Sequence, residues 1–353
     1  MKIQTTKAAV LTKQKHPLVV DEVLLPADLE VGQVLVEIKF STICGSQLGE
    51  IAGKKGEDPY LPHLLGHEGT GVVLSVGPGV STVEVDDQVV LHWRSGSGIQ
   101  GQPPKYRWKH GSVNAGFVTT FNHHAVVSEN RVTVLPENYP LDLGCLFGCA
   151  VTTGLGVIEN NACLKMGESI VIFGAGGVGL NIIQGAVLHT ATPIVAIDKF
   201  DNRLSLAERM GATHTVNNYN NNIASCLDKV FSIVGVGGAD VVVDNTGSPE
   251  IIEKCIEMTK PQGRTILVGV PPTGHKAEIF TLPLHFGKVL KGSHGGDGYP
   301  TDDIPRYIKL SETGLLDLKP LLTGIYSLDQ INDAIDDMHS GRTAGRCLLD
   351  MSM

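Results

Sequence analysis

The chain has 353 residues, more than one hydrophobic core ordinarily fills, so two domains are expected. Hydrophobic residues make up 42% and charged residues 18%, which suits a globular protein with a full core, and no apolar run approaches the ~18 residues of a membrane span. A formal net charge of -9 gives the chain no electrostatic reason to seek nucleic acid or an anionic membrane surface.

The first residues, MKIQTTKAAVL, show neither a long apolar stretch nor a cleavage pattern, so no secretory leader is expected and the chain reads as cytoplasmic. Seven cysteines, odd in number and unevenly spaced, then read as reduced thiols, some of them candidate ligands. Residues 1–150 are β-rich. The short apolar runs AAVL, VLVEI, GTGVVLSV and DQVVL are separated by Gly, Pro and Asp, which predicts twisted strands closing into a barrel-like unit. From 151 to 294 the rhythm becomes strand, helix, strand: ESIVIF, an apolar-periodic helix, PIVAID, then strands at ADVVVDNTG and RTILVGV. This alternation predicts a parallel sheet with crossover helices. The tail, 295–353, carries two helical patterns and a last strand, RCLLDM. Ser327 is the predicted N-cap of the second helix and Gly341 its stop. The tail is too short to fold alone and is expected to return to the first domain.

Gly174-Ala175-Gly176-Gly177-Val178-Gly179 follows the strand ESIVIF and opens a helix, the context that a dinucleotide fingerprint requires. The helix N-terminus offers free N–H groups and a positive dipole end to a pyrophosphate. A second strand ends in Asp198 roughly twenty residues on, where a carboxylate accepts from both ribose hydroxyls and repels a 2′-phosphate. NAD is therefore the expected cofactor, while Lys199 and Arg203 nearby leave room for some NADP use. The plain alternative is a glycine-rich turn with Asp198 as an ordinary turn residue.

Cys44 in STICGSQLGE, His67 in LLGHEGTGVV and Cys149 in LFGCAVTTGLG are, one by one, readable as buried packing residues. Their order decides. CGS, GHEGTG, GCAVTTG, GAGGVG and GVPP follow one another as in the zinc-containing alcohol dehydrogenases of the medium-chain dehydrogenase superfamily, which the chain resembles over nearly its whole length. The resemblance implies an α/β protein: a GroES-like catalytic domain (1–150 and 295–353) and a Rossmann cofactor domain (151–294). It implies zinc ligation by Cys44, His67 and Cys149, with Glu68 behind the metal or coordinating it transiently. Ser46 falls on the hydroxyl that passes the substrate proton onward, Thr153 near the nicotinamide, Val268 and Val270 along the cofactor, and Arg346 near the pyrophosphate. Trp93 falls on an aromatic wall of the substrate pocket. The implied activity is NAD(H)-linked interconversion of an alcohol and its aldehyde or ketone, in a homodimer or homotetramer. GCAVTTG is closer to the long-chain members than to the sorbitol-type branch. A polyol or sugar dehydrogenase, and a non-catalytic NAD(H)-binding relative, remain as alternatives.

Three positions depart from the family pattern. The stretch where many members hold a second, structural zinc, residues 94–117, has no cysteine, so one zinc per subunit is expected. Gln47 stands where an Asp often braces the ligand histidine, and an amide is a weaker brace. Gly49 stands where the proton relay often ends in a histidine. Glu50 next to it is a candidate substitute or simply a solvent-facing carboxylate. Cys145 shares a face with Cys149 if the segment is helical. His123 and His124 point to opposite faces of a strand, and His63 reads as a turn residue. His92 and Arg94 flank Trp93 and read either as a polar pocket or as an Arg covering an indole. The rings and cations of Lys105, Tyr106, Arg107 and Trp108 lean toward the polar pocket.

Overall fold

The computed structural model describes residues 3–219 and 223–353. In the first part of the chain, the strands Thr5–Leu11, Val19–Leu24, Lys105–Trp108, Gly111–Asn114 and His63–Leu64 close into a barrel in that order. A second sheet runs Val132–Val134, Gln88–His92, Glu68–Val76, Gln33–Thr42, Arg346–Asp350 and Leu322–Tyr326, and His124–Ser128 also pairs with Gln33–Thr42. The tail thus returns as expected: Leu348 lies opposite Thr42 in an antiparallel pair. Ser327 caps a short turn of helix ahead of the helix Ile331–Ser340, which Gly341 ends at φ 73°.

The middle of the chain forms a parallel six-stranded sheet, ordered His214–Asn217, Ile194–Asp198, Ile170–Phe173, Ala239–Asp244, Thr259–Leu267, Val289–Gly292. Ile170–Phe173 and Ile194–Asp198 are buried along their whole length, because helices cover both faces of a parallel sheet. The chain order reverses between Ile170–Phe173 and Ala239–Asp244. A crevice for a ligand forms beyond the strand ends at such a point. The two parts share one core. Val90, Phe147 and Leu348 pack in the same cluster as Ile172, Leu180 and Tyr307.

Three local expectations need correction. His63 is not in a turn. It is buried in the strand His63–Leu64, opposite Leu11 and Asn114, because the barrel closes there. Cys145 and Cys149 do not share a helical face, since the chain breaks at Cys149 (φ -152°, ψ -61°) between a 3-10 turn and the helix Ala150–Gly156. The aromatic and basic stretch 105–108 does not line the cleft. It is one arm of a hairpin that completes the barrel: Tyr106 is fully buried, with its hydroxyl accepting from Val126 N at 2.9 Å, and Trp108 Nε1 donates to Asp21 at 2.9 Å.

Candidate active site

Cys44 is the N-cap of the helix Gly45–Ile51, so its side chain stands where the chain enters a helix. Gln47 Oε1 accepts from Cys44 N at 3.3 Å. The amide therefore fixes the cysteine, and among the described residues no hydrogen bond joins it to His67. His67 and Glu68 follow one another into the strand Glu68–Val76. Cys149 is placed by the chain break described above. The break needs Gly148, because a Cβ there would lie 2.3 Å from Leu91 O and 2.8 Å from the Glu68 backbone.

The outcome is a convergent donor set. Ligand-type atoms of Cys44, His67, Glu68 and Cys149 all lie within 4.8 Å of one another. Cys44 Sγ and Cys149 Sγ are 4.0 Å apart. Two zinc–sulfur bonds of ~2.3 Å at a tetrahedral angle span about 3.8 Å, so this spacing fits zinc. His67 Nε2 is buried with no hydrogen-bond partner among the described residues, the condition of a ligand atom awaiting a metal. The contact with Cys44, and then burial, push the Cys149 thiol up. The hydrogen bond from Cys149, aided by the charge of Arg346, holds Cys44 well below the usual thiol range despite burial.

Glu68 is fully buried, and burial pushes its carboxyl up while Arg346 pulls it down. Its Oε2 accepts from Ala150 N at 3.2 Å, and its Oε1 lies 3.4 Å from Arg346 Nη2. Arg346 also donates to Ile43 O at 3.0 Å and reaches Cys44 Sγ at 3.7 Å. On its other side a Cβ on Gly177 would meet Arg346 Nε at 2.4 Å. That Nε is buried with no hydrogen-bond partner among the described residues. One guanidinium therefore separates the donor set from the glycine loop. Thr153 is buried on the helix that starts after Cys149, and that helix packs on Gly177–Leu188 with Gly154 against Asn181.

The loop Gly174–Gly179 joins Ile170–Phe173 to that helix as expected. Val178 is half-buried, and a Cβ on Gly179 would fall 1.9 Å from Gly174 O, so only glycine lets strand and helix approach. Asp198 Oδ2 accepts from Ala175 N at 2.9 Å, and its Oδ1 accepts from Lys199 N and Phe200 N. Arg203 Nη1 is 3.9 Å from that carboxylate, and Lys199 and Arg203 both lie over the Phe200 ring. Val268 is half-buried at the end of Thr259–Leu267, and Val270 is 73% exposed on the following loop. Asn245, which the sequence reading passed over inside VVVDNTG, donates to Gly174 O at 3.3 Å and clamps the loop.

The pairing of Glu68 with His92 sets Trp93 across from His67, and Trp93 N donates to Gly148 O beside Cys149. Trp93 therefore stands at the donor set. Its indole meets His294 edge-on, at 5.0 Å between ring centres. His294 follows the last cofactor strand, and nothing local in SHGGDGYP marked it. Ser46 is exposed at the start of Gly45–Ile51, with Glu50 one turn further along. Glu50 is not simply solvent-facing. Its carboxylate lies 3.8 Å from His63 Nε2 and 3.5 Å from Lys55 Nζ. Both His63 ring nitrogens already face acceptors, Leu64 O and Asp58, at 2.9 and 2.8 Å.

Comparison with known proteins gives the same picture. Residues 30–137 match the alcohol dehydrogenase GroES-like domain, and residues 177–313 match the zinc-binding dehydrogenase family. The chain is 33% identical to the S-(hydroxymethyl)glutathione dehydrogenase of Paracoccus denitrificans, over 96% of this chain and 98% of that protein. It is equally 33% identical, with the same coverage, to the class-3 alcohol dehydrogenase of Cereibacter sphaeroides. Among solved structures, an alcohol dehydrogenase zinc-binding domain protein from Burkholderia ambifaria superposes with a TM-score of 0.87 at 30% identity, covering 98% of this chain and 99% of the other. Benzyl alcohol dehydrogenase from Acinetobacter calcoaceticus superposes at 0.86 with 26% identity, covering 99% of each chain. The chain belongs to the zinc-containing alcohol dehydrogenase family and is an oxidoreductase of its NAD-linked alcohol–aldehyde class.

Proposed function

We propose that this enzyme holds one catalytic zinc and no structural zinc, with Cys44, His67 and Cys149 as ligands, and prefers NAD to NADP in oxidising an alcohol to its carbonyl product and in the reverse reduction. The observation that carries the reading is the convergence of these three donors, His67 Nε2 orphaned among them, one arginine side chain away from the Gly174–Gly179 loop. When bound, zinc supplies a Lewis acid to the substrate oxygen and NAD supplies the hydride acceptor.

The chain's own residues do the rest. Gly174–Gly179 and the helix behind it present backbone N–H groups to the pyrophosphate. Asp198 receives the ribose hydroxyls. Its placement, braced by three backbone N–H groups, favours a neutral ribose over a phosphorylated one. Trp93 walls the substrate against His67 and Cys149 and excludes water. Ser46 accepts the substrate proton and passes it outward. Glu68 with Arg346 holds compensating charge behind the donor set. A single zinc is supported by the lack of any cysteine in residues 94–117, which leaves no thiolates there for a four-cysteine site.

The test is purified protein with NAD and a panel of primary, aromatic and polyhydric alcohols, read by NADH formation. Cys44→Ala, His67→Ala and Cys149→Ala should each lose zinc and turnover while keeping the far-ultraviolet circular dichroism of the parent. Retention of zinc by all three variants would rule out the ligand set. No turnover of any alcohol or aldehyde would rule out the catalytic reading.

A further inference from the structure

The helix that carries Thr153 does not end as an α-helix. It widens into the π-helical turn Val157–Ala162, a rare geometry found mostly where a fold serves a functional site. Two successive asparagines of that turn reach one loop. Asn160 Nδ2 donates to Gly296 O at 2.9 Å, and Asn161 Nδ2 donates to Asp297 Oδ2 at 2.7 Å. Asn161 is buried, and its Oδ1 has no hydrogen-bond partner among the described residues. Turning the amide over would set Oδ1 against a carboxylate oxygen, so the bond to Asp297 is what fixes its orientation.

The loop is His294–Gly298. Gly295, Gly296 and Asp297 all have positive φ, at 63, 74 and 50°. Glycine enters that region freely, but an aspartate stays there only where its surroundings hold it. Asn161 supplies that hold, and Asp297 N closes the turn on His294 O at 3.3 Å. The turn faces the substrate wall. A Cβ on Gly295 would run into the Trp93 ring, and His294 meets that ring edge-on. On the other side, a Cβ on Gly296 would lie 2.7 Å from Thr153 O and 2.9 Å from Gly156 Cα. The loop therefore fills the gap between the helix of Thr153 and the indole of Trp93, and leaves neither room to shift. Arg94 spans the turn from the Trp93 side, its Nε donating to Gly298 O at 2.9 Å and its Nη1 to His294 O.

We infer that Asn161 and Asp297 are positioning residues of this enzyme: their bond holds the left-handed turn that presses Gly295 and His294 onto Trp93, and so sets the width of the substrate cleft. The inference rests on the dehydrogenase reading above, in which Trp93 walls the cleft, and assigns what stands behind that wall. Without the tie, Asp297 relaxes toward negative φ and carries Gly295 and His294 off the indole. A bulky alcohol that touches the wall then loses binding, while a small one that does not reach it is spared.

The test uses zinc-loaded enzyme at saturating NAD with the bulkiest and the smallest alcohol that the parent oxidises. Asp297→Ala and Asn161→Ala should each raise KM for the bulky alcohol by about tenfold, with kcat and the small alcohol changed by less than about twofold. The double variant should be no worse than either single one, as expected for two ends of one bond. Asp297→Asn keeps an acceptor for Asn161 and tolerates a left-handed backbone, so it should restore the parent values. Trp93 emission reads the same contact without turnover. Of the two tryptophans, Trp108 sits in the barrel, so subtracting the spectrum of a Trp93→Phe counterpart isolates Trp93. That emission should move to the red in both alanine variants and return in Asp297→Asn. Far-ultraviolet circular dichroism and zinc content check folding, and Asn161→Ala carries the test if Asp297→Ala does not fold. Equal losses for both alcohols, a loss in kcat alone, or no restoration by Asp297→Asn would make the pair structural only and overturn the inference. An unshifted emission with turnover intact overturns it too, while the dehydrogenase reading stands. If the parent oxidises no alcohol yet the emission shifts as stated, the support of Trp93 stands and the dehydrogenase reading fails. With neither turnover nor an emission shift, both fail.

Discussion

Single side chains in this protein sit in environments that set their charge. His92 is fully buried, and burial brings its imidazole down to about 4 from 6.5. Its Nε2 meets Thr133 Oγ1 at 2.9 Å, so a neutral ring with one donor and one acceptor satisfies both contacts. The unfolded imidazole takes up a proton near pH 6.5, and the folded one does so only near pH 4. Between those values the unfolded state binds the extra proton, so stability is full above the upper value and falls as pH drops toward the lower. His92→Gln should flatten that slope, by up to about 3 kcal/mol across the window. Urea midpoints of parent and variant at several pH values measure it, and parallel curves would refute it. Asp198 acts on selectivity instead. Asp198→Ala should narrow an NAD preference of at least about tenfold, since it removes both a ribose acceptor and the repulsion of a phosphate. Kinetics with both cofactors check this, and equal efficiency in the parent would contradict it.

At the scale of elements, the hairpin Lys105–Trp108 and Gly111–Asn114 is organised by burial and by pairing with the barrel strands Val19–Leu24 and His63–Leu64. Tyr106 is its anchor, inside the cluster of Val10, Val23, Leu64 and Val126. Tyr106→Phe keeps the ring but removes the acceptor for Val126 N. Leaving that buried donor unpaired should cost about 1–3 kcal/mol, read as a lower urea midpoint at unchanged zinc content. A neutral result would mean that the barrel closes without this bond. The helix Gly45–Ile51 and the chain break at Cys149 show the complementary principle. Ligand side chains stand at element boundaries, where the backbone leaves regular geometry and aims a side chain across the fold.

For the whole molecule, the parallel sheet ends at Val289–Gly292, an edge that no further strand covers among the described residues. Beside it Phe280, Leu282 and Phe286 are 74, 51 and 70% exposed, and Val289 is 47% exposed. An open edge with apolar rings alongside is a liability for a lone subunit, and a second copy of the chain would cover it. A homodimer or homotetramer is expected by sedimentation, and Phe286→Lys with Val289→Lys should shift the mass toward one chain. A parent that sediments as a single chain would exclude it. Elemental analysis of the same preparation should return one zinc per chain, and two tightly held ions would contradict the single-site proposal.

The residues alone determined the strand–helix alternation, the glycine loop with Asp198 after the next strand, and the return of the tail. The first two are encoded locally, in hydrophobic period and turn chemistry, and the third followed from a tail too short to fold alone. The ligand residues were legible through their order of motifs, not through any local physical signal, because a buried cysteine that packs and one that binds metal look alike in isolation. Only the tertiary structure brought Cys44 to Cys149 across 105 residues and set Arg346, 302 residues from Cys44, between the donor set and the glycine loop. It also moved Tyr106 and Trp108 out of the cleft and into the barrel, and placed His294 on Trp93 and Arg94. These placements depend on how sheets close and pack against each other, and side chains far apart in the chain acquire their meaning only when that packing makes them neighbours.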